Sequence, residues 1–273
     1  MLKSVAFAGL ALVALFAHQQ TNLRSDEQSG AAEPSQPPAT YQEARDLARN
    51  TPGYKNLQRI GLAFHGYHDI FGRFPPALLY APDGKIAYSW RVELLPLLKH
   101  YVDGVEREAL SGKISRDRFN QLIKQCGYDI NETWDSDANS EALLHMPDVY
   151  RHPSDPATST KGAYYAITGP GTVFDAGSIS RYADIKGWVA STLMIVESRS
   201  REPWTKPIDI RYSAEATVPR FGGFAKHGCL SLTCDGGVHF IHDAIPPADL
   251  RSLITKDQQD KFVIVGIPFQ YND

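Results

Sequence analysis

Apolar residues recur at intervals of three and four from residue 41 to residue 71, then from residue 160 onward in short continuous runs. The first pattern is helical and the second strand-like. Ala44, Leu47 and Ala48 mark a short helix, and Thr51-Pro52-Gly53 interrupts it. Leu57, Ile60, Gly61, Phe64, His65 and His68 resume the stripe. They predict a helix from about Gly53 to Phe71, stopped by Gly72, with Phe74-Pro75-Pro76 as an extended exit. Pro82-Asp83-Gly84-Lys85 reads as a turn. Ser89 is placed to cap a helix from Trp90 to about Tyr101, which Pro96 should kink or confine to a short first part. Ser115 to Gly127 carries the start and stop signals of a small amphipathic helix.

The strand candidates are Ala163–Ile167, Thr192–Glu197, Cys229–Cys234 and Val238–Ile241. Asp235-Gly236-Gly237 between the last two predicts a hairpin with a type I′ turn. Asp249–Ile254 reads as a short helix and Phe262–Val265 as a late strand. Helices first and strands later predict an α+β fold rather than βαβ alternation.

The N-terminus departs from this pattern. Val5–Ala17 is an uncharged apolar run of 13 residues behind Lys3. As a helix it would span about 20 Å, short of a bilayer core, so it reads as a signal peptide or signal anchor. Residues 19–40 hold almost no large apolar side chains and read as a disordered tether. The organisation expected is therefore 1–17 signal, 18–53 tether with a short helix, and 54–273 one folded domain. Export to the periplasm or cell surface follows, with the membrane touched only through the N-terminal segment.

Charge narrows the field. Lys and Arg number 28 against 31 Asp and Glu, a net charge of −3, so there is no basic excess to meet a phosphate backbone. The cysteines are three, Cys126, Cys229 and Cys234. Cys229 and Cys234 are five apart in one strand candidate, which puts them on opposite faces and out of bridging range.

Several segments stand out as motifs. They are Asn56 to Asp69 (NLQRIGLAFHGYHD), Phe74-Pro75-Pro76, and Ser89-Trp90-Arg91-Val92 with Leu94-Leu95-Pro96. Trp134-Asp135-Ser136, Met146 to Arg151 (MPDVYR) and Pro153-Ser154-Asp155-Pro156 complete the set. In this order they resemble the DUF1559 family of exported, pilin-like planctomycete proteins, whose members carry NLKQIGLALHNYH, FPPA, SWRVLLLPYL, WDSPHN, YRCPSDP and a C-terminal H-x9-DG element. The resemblance covers about residues 54–255. It implies a pilin-like core, with the N-terminal helix packed on an antiparallel sheet, a helical insertion and long loops. The motif residues it marks are Asn56, His65, Tyr67, Asp69, Trp90, Trp134, Asp155, His227, Asp235 and Gly236. The sequence departs from the family pattern in three places. Met1–Ala17 has neither Gly-Phe-Thr-Leu-Ile-Glu nor an acidic residue in its apolar run, so prepilin-type processing and filament assembly are not expected. His152 stands where the family has Cys. Seven residues, not nine, separate His227 from Asp235.

The chemistry these residues offer is limited. His65, His68 and Asp69 share a helix face at metal-ligand spacing, but a packed histidine pair at a helix end explains them as well, and no cofactor is implied. Asp135 to Glu141 resembles the start of a calcium loop, yet Ser140 and Met146 occupy positions that need Gly and Glu, which favours a helix cap by Asp135 or Ser136. His239 and His242 fall on different strand faces. No Gly-x-Ser-x-Gly, dinucleotide or Walker loop occurs. Glu197 with Asp235 could form a glycosidase-like dyad, although an ion pair of Glu197 with Arg199 or Arg201 is the simpler expectation. The reading that results is a non-enzymatic, pseudopilin-like structural or interaction protein of the cell envelope. Its partners would be pseudopilin-like subunits, secretion machinery or an extracellular polysaccharide. The alternative is an exported carbohydrate- or small-ligand-binding module, stacking sugars on Trp134, Tyr164, Tyr165, Trp188 and Trp204, and a hydrolase is the third.

Overall fold

A computed structural model describes residues 36–84, 87–98, 114–175 and 180–257. The signal-like run, most of the tether, residues 99–101 of the helix expected from Trp90, and the Phe262–Val265 strand lie outside the described residues.

Helix α1 spans Tyr41–Asn50, opened by Thr40, whose hydroxyl accepts from the Glu43 N–H. Helix α2 spans Tyr54–Phe71. Gly53 and Gly72 flank it with φ of 100° and 66°, conformations in which a Cβ is strained. Its buried stripe is Leu57, Ile60, Gly61, Phe64 and Tyr67, as the 3.6-residue spacing predicts. Gly61 lets the helix sit close to the sheet, since a Cβ there would lie 3.0 Å from Leu232 Cδ1. Ala48 of α1 belongs to the same core, so α1 is part of the folded unit.

Strands β1 (Leu78–Tyr80) and β2 (Ala87–Ser89) form an antiparallel pair. Ser89 then caps α3, which covers only Trp90–Glu93 and passes into a 3-10 turn at Leu95–Leu97. Pro96, lacking an N–H, stops the α-helical ladder at this point, so the predicted helix keeps only its short first part. Helices α4 (Arg116–Gln125) and α5 (Asp137–Leu144) follow. Ser136 holds the N-cap position of α5, although its hydroxyl makes no capping bond.

The main sheet has the order β5-β3-β4-β6-β7. It is built from β3 (Tyr164–Thr168), β4 (Leu193–Glu197), β5 (Ile210–Arg211), β6 (Gly228–Thr233) and β7 (Val238–His242). All pairings are antiparallel except β3–β5, which is parallel. The fold is α+β, with one parallel edge strand that the sequence did not announce. Leu230, Leu232 and Phe240 face the core under α2, while Cys229 and Ile241 face a second core with Leu250, Leu253 and Ile254 of α6 (Pro247–Ile254). A register shift between Leu193 and Ile195 lets Met194 and Ile195 both join the first core. Cys229 and Cys234 are buried in different cores, and all three thiols are free. No described helix is long and apolar enough to cross a membrane.

The β6–β7 turn is not type I′. Gly236 has φ of 84°, but Asp235 does not share the positive φ that type I′ requires. Thr233 N–H donates to Gly237 O at 2.9 Å and Gly236 N–H to Thr233 O at 3.0 Å, giving a three-residue loop with a left-handed glycine. The Asp235 side chain makes this possible. Its Oδ1 accepts from Thr233 Oγ1 at 2.6 Å and Gly237 N–H at 2.9 Å, an Asx-type turn that competes with the two-residue form.

Candidate functional site

The motif residues separate into a cleft wall, a buried cluster at one end of β4, and a turn at its other end. The cleft is the open feature. It lies between the Phe74-Pro75-Pro76 exit with β1 on one side and β3, β5 and Pro207-Ile208 on the other, with a volume of about 710 Å³. That falls within the roughly 300–1,000 Å³ typical of small-ligand sites. Phe74, Val173 and Phe174 are buried beneath it, while Leu78, Tyr80 and Ile208 remain 41%, 57% and 38% exposed at its rim.

Ser89-Trp90-Arg91 lies behind the cleft and holds Asp209, one of its lining residues. The Arg91 guanidinium lies 4.6 Å from the Trp90 ring and 4.8 Å from the Tyr165 ring, a cation–π sandwich. It donates from Nη1 to Ser89 Oγ at 2.9 Å, from Nη2 to Tyr164 O at 2.6 Å, and from Nη2 to Asp209 Oδ1 at 3.0 Å. Asp209 Oδ1 also accepts from Trp90 Nε1 at 3.2 Å and Ala166 N–H at 2.8 Å. Burial pushes the Asp209 carboxyl up, and Arg91 pulls it back toward the charged form. All the described donors converge on Oδ1. Oδ2 receives none, and Asp209 lines the cleft. The Ser180 hydroxyl, on a residue 4% exposed, also lines it without a hydrogen-bond partner. Asp209 was missed in the sequence. Its only signal is Ile208-Asp209-Ile210, a period-2 alternation with a carboxylate on one face.

The second group surrounds Glu197, fully buried at the end of β4. The sequence pointed to Arg199 or Arg201 as its partner. Instead His152 Nε2 lies 3.4 Å from Glu197 Oε1, and Phe224 N–H donates to Oε2 at 3.3 Å. Arg201 is drawn away by Asp155, which it meets with two bonds of 2.6 and 2.7 Å, and Arg199 donates to Phe224 O. The His152 ring stacks on Phe224 at 3.8 Å, and Nδ1 accepts from Ser154 N–H, which leaves Nε2 carrying the proton in the neutral ring. Burial lowers the His152 basicity, with Asp155 acting in the other direction. Asn56 Nδ2 ties α2 to this group by donating to Arg151 O at 2.8 Å and Tyr164 Oη at 3.3 Å. The arrangement pins five segments together, and its His152–Glu197 centre is buried.

The third group lies at the other end of β4, by the β6–β7 turn. His65 sits against Gly236, and a Cβ there would meet its Nε2 at 3.2 Å. The His65 and His68 rings pack on Tyr182 at 5.9 and 4.3 Å, and His68 also packs on Phe74 of the Phe-Pro-Pro exit at 5.2 Å. Asp69 is exposed beside them. Among the described residues no group of three or more His, Cys, Asp or Glu side chains is placed to hold a metal ion. Burial raises the Tyr182 phenol to about 12.

Other expectations are corrected. Asp235 follows Thr233, which pairs with Leu193 at the start of β4, whereas Glu197 ends that strand. The strand length alone separates the two positions by about 13 Å, so they form no dyad. Tyr164, Tyr165 and Trp204 are 0%, 2% and 1% exposed and offer no sugar-stacking surface; Trp188 is 59% exposed and Trp134 half-buried under Lys206. Tyr67 is buried with Tyr88 and Glu93, and the half-exposed Arg116 donates to both Glu93 oxygens and to Tyr88 Oη. Burial, with Glu93 beside it, pushes the Tyr67 phenol far above its usual value. The His227 ring stands 6.0 Å from His242, away from the other motif residues.

Comparison with known proteins adds one match. A family model described as a protein of unknown function (DUF1559) matches residues 42–201. No curated protein matches the chain, and no solved structure does.

Proposed function

The match spans more than half of the sequence, so the chain belongs to the DUF1559 family, and we propose that it is an exported, non-enzymatic interaction protein of the cell envelope that binds through the Asp209 cleft. One observation carries this reading. Two motif segments of the matched region meet at one open cleft with an apolar rim: Phe74-Pro75-Pro76 lines it, and Trp90 and Arg91 hold the Asp209 carboxylate that lines it too. The apolar run Val5–Ala17 and the polar stretch after it support export.

A non-catalytic role is supported by how the titratable groups are engaged. Glu197, His152 and Glu93 are buried and, with Arg116, are committed to one another or to backbone. In the cleft, Asp209 is neutralised by Arg91, and a paired carboxylate with one saturated oxygen is a fixed acceptor rather than a proton shuttle. The test is a thermal-shift assay of the full chain against fractionated envelope material from the source cells, with cell fractionation in parallel. The wild type should be stabilised by a component recovered unchanged, a Leu78→Asp/Ile208→Asp variant should not, and the protein should fractionate with the envelope. Equal stabilisation of the variant, conversion of the component, or a cytosolic full-length chain would each sink the proposal.

A further inference from the structure

We infer that the Asp209 cleft takes the carboxyl-terminal end of a peptide whose last residue is apolar. This inference rests on the cleft being the binding site. Three features of the cleft must be matched by one ligand. The first is cationic: Arg73 and Arg211 both line it, and Arg73 also acts electrostatically on the Tyr67 phenol. A guanidinium on the cleft wall fits a carboxylate, which accepts two parallel N–H bonds. Asp175 also lines the cleft, and its Oδ2 accepts from Gly171 N–H at 3.2 Å within its own loop.

The second feature is an acceptor set. Asp209 Oδ2 lacks a donor, and its charge is already met by Arg91, so a neutral N–H suits it better than an ammonium, which would add a second cation to a paired site. Ser180 Oγ offers a further unused partner. The third feature is the apolar wall of Phe74, Phe174, Leu78 and Ile208. A fatty acid would satisfy the arginines and the wall but leave Asp209 and Ser180 unmatched. A saccharide would satisfy Asp209 and Ser180 but bury its hydroxyls against apolar carbon. A peptide end brings a carboxylate, a backbone N–H and an apolar side chain together.

The experiment uses the full chain and a fluorescein-labelled pool of short peptides, randomised except for a final Val, Leu, Ile or Phe. The same pool with amidated ends, decanoate and an oligogalacturonate are the comparison probes. The free-acid pool should bind at least about tenfold more tightly than the amidated pool, and Arg211→Gln should remove about that factor without changing the melting temperature. Equal binding of the two pools, or indifference to Arg211→Gln and Arg73→Gln, overturns the inference. Binding of decanoate or oligogalacturonate alone, lost in Leu78→Asp, refutes the peptide class while leaving the cleft as the binding site. If no probe shows binding sensitive to Leu78→Asp, both readings fall.

Discussion

The two glycines that bracket α2 make a matched pair of perturbations. Gly53 and Gly72 both have positive φ, so an alanine at either is strained by about 1–2 kcal/mol, partly offset by a stiffer unfolded chain. Their surroundings differ completely. At Gly72 an added Cβ meets nothing within 4 Å. At Gly53 it would lie 2.8 Å from Tyr164 Oη, 3.0 Å from Glu197 Oε1 and 3.5 Å from Leu230 Cδ1. Tyr164 and Glu197 are fully buried, and each holds a hydrogen bond, from Asn56 and from Phe224, that must stretch if it moves. Overpacking of this kind costs about 1–3 kcal/mol, and weakening a buried hydrogen bond adds about 1 kcal/mol. Gly72→Ala should therefore cost about 1 kcal/mol and Gly53→Ala about 3–5 kcal/mol, a large part of the net stability of an ordinary domain. Urea titrations followed by tryptophan fluorescence measure both, provided the slopes agree between variants. Equal losses within about 0.5 kcal/mol would refute the claim that α2 is seated against the His152–Glu197 cluster.

Two further predictions concern stability. Burial holds the His68, His152 and His239 imidazoles below their ordinary basicity, so the native state prefers them neutral while the unfolded chain binds protons near pH 6.5. Their contribution is complete above that value and is lost as pH falls below it. The melting temperature should thus drop between about pH 6.5 and 5, less steeply in His152→Gln, and a flat profile there would contradict the burial argument. Asn139 is fully buried, accepts from Asp129 N–H and donates to the carbonyls of Asp129, Glu132 and Thr133. Asn139→Ala should cost about 2–3 kcal/mol in the same titration, and a loss below about 1 kcal/mol would show that water replaces its bonds.

Much of the fold was legible because its signals are local. The stripe from Leu57 to Tyr67, the Gly72 stop, the Ser115 cap and the runs that became β3, β4, β6 and β7 depend on neighbours in sequence. The two-stranded β1–β2 pair and β5 were not legible, since strands of two or three residues carry no periodicity. The turn at Asp235 was placed but mistyped, because its choice between forms is made by a side-chain bond to Thr233 and Gly237. The candidate site was visible only in part. Phe74-Pro75-Pro76 and Ser89-Trp90-Arg91 stood out, but Asp209, more than a hundred residues later, acquires its partner only when β5 docks beside β3. The same non-local pairing explains why Glu197 took His152 and why Tyr164, Tyr165 and Trp204 went inside.

That the cleft over Asp209 is where this protein meets its ligand is tested most directly by a crystal structure. It would hold the full chain with the tightest peptide from the free-acid pool. The expected result is a terminal carboxylate between Arg73 and Arg211, with a backbone N–H within hydrogen-bond distance of Asp209 Oδ2. A peptide seated elsewhere, with the cleft empty, would contradict it.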